Sequence, residues 1–120
     1  MEIRKITVNG NEYEFVNDSR STRHGFAHDT TLFKNDYVIR RASCHYLNRT
    51  WECYRYQTVM KVCISNLIDS KYEDFIADYK AEKNIKRLTA EKRAEADRDF
   101  EALAEIKELR EVYKQLDSRN

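Results

Sequence analysis

Three histidines, three cysteines and a run of arginines among tyrosines are the residues of this chain whose chemistry could go beyond packing. His24, His28 and His45, with Asp29, would suit a metal ion or an acid–base pair if strand pairing brought His28 and His45 diagonally onto one face. No HxH, HExxH or CxxC pattern accompanies them, and polar positions on surface strands account for all three more simply. Cys53 and Cys63 share one expected helix but lack the i, i+3 or i, i+4 spacing of two ligands. With Cys44 they read as reduced thiols filling small apolar sites. Cys44 beside His45 is no catalytic dyad, because adjacent strand residues point to opposite faces.

The most suggestive constellation is basic and aromatic. Arg40, Arg41, Arg49, Arg55 and Lys61 are interleaved with Tyr46, Trp51, Tyr54 and Tyr56. Arginine grips phosphate or carboxylate bidentately and aromatic rings stack on bases. The same residue types dominate protein–protein hot spots. Arg40, Arg41, Arg49, Tyr54, Arg55, Tyr56 and Lys61 are therefore the expected binding residues. The polar run Asn17 to Arg23 (NDSRSTR) offers hydroxyls and arginines to a phosphate, but reads first as a solvated loop. Gly10 and Gly25 are the only glycines, which excludes a phosphate loop. There is no GxSxG, kinase or paired-carboxylate signature either. The expectation is a protein that is not an enzyme and carries no cofactor and no metal.

The elements that must position these residues change character around Cys44 to Ile68. Before Leu47 the apolar residues tend to alternate; after Trp51 they recur every three or four, at Tyr54, Val59, Val62, Cys63 and Leu67. A period of 2 gives way to one of about 3.6, a strand handing over to a helix. Upstream, Asn9-Gly10 is a strong two-residue hairpin signal over Ile3 to Val16, pairing Ile6 with Tyr13 and Lys5 with Glu14. Asn35-Asp36 predicts a second such turn between strands over His24 to Lys34 and Tyr37 to Leu47, with Phe33 facing Val38 and Leu32 facing Ile39. The pattern is thus a four-stranded antiparallel meander. A first helix is expected from near Thr50 or Trp51 to about Asn84, with Trp51 anchoring it on the sheet and Tyr72, Phe75, Ile76 and Tyr79 on a part projecting beyond. Thr89 is a fitting N-cap for a second helix to about Leu116. Its stripe is Ala96, Phe100, Leu103, Ile106, Leu109, Tyr113 and Leu116.

The predicted class is α+β, one domain over 1–120: sheet 1–48, first helix 50–83, second helix 89–117, the two helices forming a hairpin. Its 120 residues suffice for one domain. Charged residues make up 36%, above the ~25% of an ordinary domain, and proline is absent, so long solvated helices are allowed. Nothing approaches a membrane span or a secretory leader, and a cytoplasmic setting is expected. Residues 1–68 carry a net +3 and residues 69–120 a net −2. That asymmetry is too mild to impose nucleic acid as the partner.

Two stretches resemble a known group. Gly25, Phe26, His28, Leu32 and Phe33 (with Ser21 displaced by three residues), then Cys44, Tyr46, Asn48, Arg49, Thr50, Trp51, Glu52, Tyr54, Tyr56, Gln57, Val59 and Met60, follow S-G-F-x-H-x-x-x-L-F and C-x-Y-x-N-R-T-W-E-x-Y-x-Y-Q-x-V-M. These patterns are similar to those of small proteins common in bacteriophages and mobile elements of low-GC Gram-positive bacteria. The resemblance implies a phage accessory protein of the early or moron type, a setting in which some small proteins inhibit CRISPR nucleases. The expected function is an interaction protein that inhibits a host defence machine in the bacterial cytoplasm, with a CRISPR–Cas effector the favoured target. The alternative is a nucleic-acid-binding accessory protein of phage replication or regulation. A second-helix stripe longer than its intrachain partner adds the expectation of a homodimer.

Overall fold

A computed structural model describes residues 1–46 and 56–117. Its elements are β1 (Glu2–Val8), β2 (Asn11–Thr22), β3 (Gly25–Lys34), β4 (Tyr37–Tyr46), α1 (Gln57–Glu82), α2 (Ala90–Ala102) and α3 (Ala104–Leu116). The fold is α+β, with an antiparallel sheet in the order β1-β2-β3-β4. Both Asn-containing turns form as the sequence predicts. Asn9 and Gly10 have φ of 52° and 81°, and Asn35 and Asp36 have 49° and 73°. Positive φ at both central positions gives the twist that two-residue hairpins need. A Cβ at Gly10 would meet nothing within 4 Å, so only its φ opposes a side chain. Gly10→Ala is expected to cost about 1 kcal/mol, read as a lower urea midpoint with unchanged slope.

The β1–β2 register is the predicted one, with Ile6 opposite Tyr13 and Lys5 opposite Glu14. Three expectations need correction. Asn17 to Arg23 is not a loop: through Thr22 it continues β2 against β3. Polar residues can hold a strand when their partners across it are polar. Thr30 Oγ1 donates to Asn17 Oδ1 at 2.5 Å in the core, and the Arg20 guanidinium lies 2.9 Å from the Asp29 carboxylate. In β4, Leu32 is opposite Arg40, Phe33 is opposite Val38, and Ile39 is the extra residue of a bulge. The bulge lets Ile39 turn toward the core, where it packs half-buried.

The third correction concerns the C-terminal helix, which breaks after Ala102. Leu103 is extended, at φ −64° and ψ 133°, and α3 restarts at Ala104. Neither proline nor glycine forces this. The bend lets α3 lie against both β1 and α1. Packing thereby overrides propensity. The turned face buries Ile106, Leu109, Val112 and Leu116 and leaves Leu103 and Tyr113, two of the predicted stripe, 42% and 36% exposed. The surface on which a homodimer would depend is thus largely covered within the chain.

Two layers result. Met60, Cys63, Ile64, Leu67 and Ile68 of α1 and the buried face of α3 close on Ile6, Val8, Tyr13, Phe15 and Leu32 of the sheet. The far half of α1 passes beyond the sheet and forms a hairpin with α2, where Ile76 and Tyr79 enclose Ala96. Tyr72 donates to Asp97 at 2.5 Å across that hairpin. Thr89 caps α2 by accepting from the Lys92 amide, and α1 ends at Glu82, with Asn84 just beyond it at φ 53°, close to where the sequence places them. The expected start of the first helix at Thr50 or Trp51 lies outside the described residues.

Candidate functional site

Of the expected binding residues, Arg40, Arg41, Tyr56 and Lys61 fall within the described residues, and these four take different positions. Arg40 and Arg41 follow each other along β4 and so take opposite faces of the sheet. Arg40 shares the helix-covered face with its partner Leu32, whereas Arg41, opposite Thr31, is exposed on the other face. Lys61 turns toward α3, paired with Asp117 and 5.6 Å from the Tyr113 ring centroid. Tyr56 sits at the N-terminus of α1, against His28 with ring centroids 4.6 Å apart. Arg49, Trp51, Tyr54 and Arg55 lie outside the described residues.

His28 and His45 also separate. His28 is opposite Cys44 on the covered face, and His45 is opposite Ala27 on the other. Ser19 Oγ lies 2.8 Å from His28 Nδ1 and 2.7 Å from the Tyr56 hydroxyl. This chain of contacts ties the start of α1 to the sheet, a positioning task. Burial pushes the Cys63 thiol up to about 11, against an opposing effect of the Arg40 charge, and burial also raises Cys44. Both thiols are thus held protonated and unreactive at neutral pH. Among the described residues no group of His, Cys, Asp and Glu could hold a metal ion, and no helix is long and apolar enough to cross a membrane.

Two cavities of about 240 Å³ flank α3. In one, Lys71 pairs with Glu105 at 2.6 Å and Lys34 reaches Glu108 at 3.5 Å. In the other, Arg110 pairs with Glu101 at 2.7 Å and Asp97 accepts from the Tyr72 hydroxyl at 2.5 Å, with Asp69 also on the wall.

A larger feature is the sheet face opposite the helices. Strand alternation places Ile3, Val16, Thr31 and Arg41 in one row across β1 to β4, and Lys5, Glu14, Phe33 and Val38 in the next. Ile3 and Val16 thereby form one apolar pair and Phe33 and Val38 another, set diagonally to each other across β2 and β3, with Ile3 and Val38 each 47% exposed. Its flanks are charged, with Lys5 and Arg20 paired to carboxylates and Arg41 in no ion pair among the described residues. Lys5 stands 3.9 Å from both Glu12 and Glu14, and Arg20 is bonded to Asp29. A hydrogen bond from Ser43 holds the Asp29 carboxyl below its usual range, with Arg20 adding to the effect against some burial. An apolar centre with a polar rim is the composition of a protein-binding surface. The signal was in the sequence: the register that faces Lys5 to Glu14 also puts Ile3 and Val16 on the wet side of the hairpin. Comparison with protein-family models, with curated proteins and with solved structures found no match.

Proposed function

We propose that this protein is a non-enzymatic binding protein that engages a protein partner through the helix-free face of its sheet. The observation that carries this reading is the two diagonal apolar pairs, Ile3–Val16 and Phe33–Val38, partly open to solvent on a rigid four-stranded support. Pre-formed, rigid apolar surface binds without a large ordering cost. The resemblance to phage accessory proteins supplies the class of partner, a host defence machine, with a CRISPR–Cas effector the favoured target and the bacterial cytoplasm the place of action. Interdicting such a machine needs occupation of a surface, not chemistry.

Nucleic-acid binding, as in phage replication or regulation, is the weaker reading. A nucleic-acid surface concentrates basic residues, whereas here Lys5 and Arg20 are each matched by carboxylates. The test is cleavage of target DNA by a purified Cas effector with and without the protein, across a salt series. The expected result is inhibition that survives from 50 to 200 mM salt. Inhibition lost by about 10³-fold over that range, with direct binding to DNA, is the behaviour of a phosphate-contacting protein and would overturn the reading.

A further inference from the structure

We infer that the free edge of β4 is a docking site for an extended acidic segment of a partner protein, which adds to the sheet as a fifth strand. The inference rests on the reading of the protein as a binding module and names a second contact on it. Among the described residues β4 pairs only with β3, and none of them places a strand beside the other row of its backbone groups from Tyr37 to Tyr46. An open edge is a template for another strand, with main-chain hydrogen bonds supplying affinity and alternate side chains supplying selectivity.

The chemistry of β4 selects the strand it accepts. Its sequence, YVIRRASCHY, contains two arginines and no carboxylate. Arg40 and Arg41 occur in none of the ion pairs among the described residues. The sheet's other edge differs: β1 mixes Glu2 with Arg4 and Lys5, and Arg4 donates to the Gln115 carbonyl at 2.8 Å under α3. A second copy of β4 would bring two more arginines and no carboxylate to the same edge, and like charges across a strand pair are destabilising. The arginines that discourage self-pairing therefore favour an acidic strand. Arg40 lies on the covered face beside α1, close enough to Cys63 to oppose the rise of its thiol, and Arg41 lies on the open face. An incoming strand meets both only with two consecutive acidic residues, one pointing to each face. The bulge at Ile39 interrupts regular pairing toward Tyr37, so the added strand runs alongside β4 from Arg40 onward.

The experiment uses fluorescence polarisation of four ten-residue peptides alternating valine and threonine around a central dipeptide. The first carries Glu-Asp, the second Lys-Lys, and the third and fourth Glu-Asp with alternate backbone amides N-methylated along one edge or the other. The acidic peptide is expected to bind with a dissociation constant below about 1 mM, and at least tenfold more tightly than the Lys-Lys peptide. N-methylation along one edge is expected to abolish binding and along the other to spare it. The double variant Arg40→Glu/Arg41→Glu, checked by its melting temperature, is expected to reverse the preference. Equal binding of acidic and basic peptides, equal binding of the two N-methylated forms, or no binding of the acidic peptide would each overturn the inference. If that happens while substitutions at Ile3 still abolish partner binding, the edge site falls and the helix-free face stands.

Discussion

A chain ending at Leu103 is expected to lose cooperative unfolding altogether. Removing α3 takes Ile106, Leu109, Val112 and Leu116 out of the core, each at most 1% exposed. At about 1.5–3 kcal/mol per buried side chain the loss is about 6–12 kcal/mol, as large as the about 5–15 kcal/mol that stabilises a whole domain. Polar contacts go with it. Gln57 Nε2 loses the Leu116 carbonyl at 2.7 Å, and Tyr13, Asn11 and Lys34 lose Glu108. Circular dichroism on heating should show a gradual slope instead of a transition. A sigmoidal melt within about 5 °C of the full chain would mean that the sheet and α1 suffice and that α3 is an appendage.

Glu108→Ala is expected to cost about 2–4 kcal/mol, because it strands the fully buried Tyr13 hydroxyl and removes the acceptor shared by Asn11 and Lys34. The Glu108 carboxylate, 6% exposed, accepts from the Tyr13 hydroxyl at 2.5 Å and from Asn11 Nδ2 at 2.7 Å, with Lys34 Nζ at 3.5 Å. It fastens α3 to the first hairpin at a point where the core is otherwise apolar. Burial pushes its carboxyl up, and the hydrogen bonds from Tyr13 and Asn11 with the Lys34 charge outweigh this, holding it below the usual 4.5. Burial, then the Glu108 hydrogen bond, pushes the Tyr13 phenol above its usual 10. The signs follow. Below about pH 4.5 the unfolded chain takes up the Glu108 proton more readily than the folded one, so this stabilisation is full above that pH and is lost as pH falls. The Tyr13 contribution is full below pH 10 and is lost as pH rises beyond it. Urea midpoints across pH 3 to 7 should fall less steeply on the acid side in Glu108→Gln than in wild type. Parallel curves would place the acid sensitivity elsewhere.

The fold was legible wherever local chemistry decides. Asn9-Gly10 and Asn35-Asp36 specify turns by their tolerance of positive φ, and Thr89 specifies a helix start by its hydroxyl. Features set by tertiary packing were not legible. Nothing around Leu103 breaks a helix, and only the sheet waiting beneath Leu109 and Leu116 rewards the bend. Asn17 to Arg23 reads as a loop because its cross-strand partners, Thr30, His28 and Asp29, are distant in sequence. The candidate site was half legible. The residue types that attract attention, arginine and tyrosine, drew the expected surface to Arg40, Arg41 and Lys61, which the fold directs to different sides. Ile3 and Val16 look like ordinary core until the register assigns them to the open face.

The most direct test of a working surface on that face is the affinity of the double variant Ile3→Asp/Val38→Asp for the proposed target, a purified Cas effector, measured beside its melting temperature. Both side chains are 47% exposed, so the fold should tolerate the change while two carboxylates enter the apolar centre of the contact. The expected result is a loss of affinity of about 100-fold or more, with a melting temperature within a few degrees of wild type. Unchanged affinity in a folded variant would contradict the assignment and move the contact away from the helix-free face.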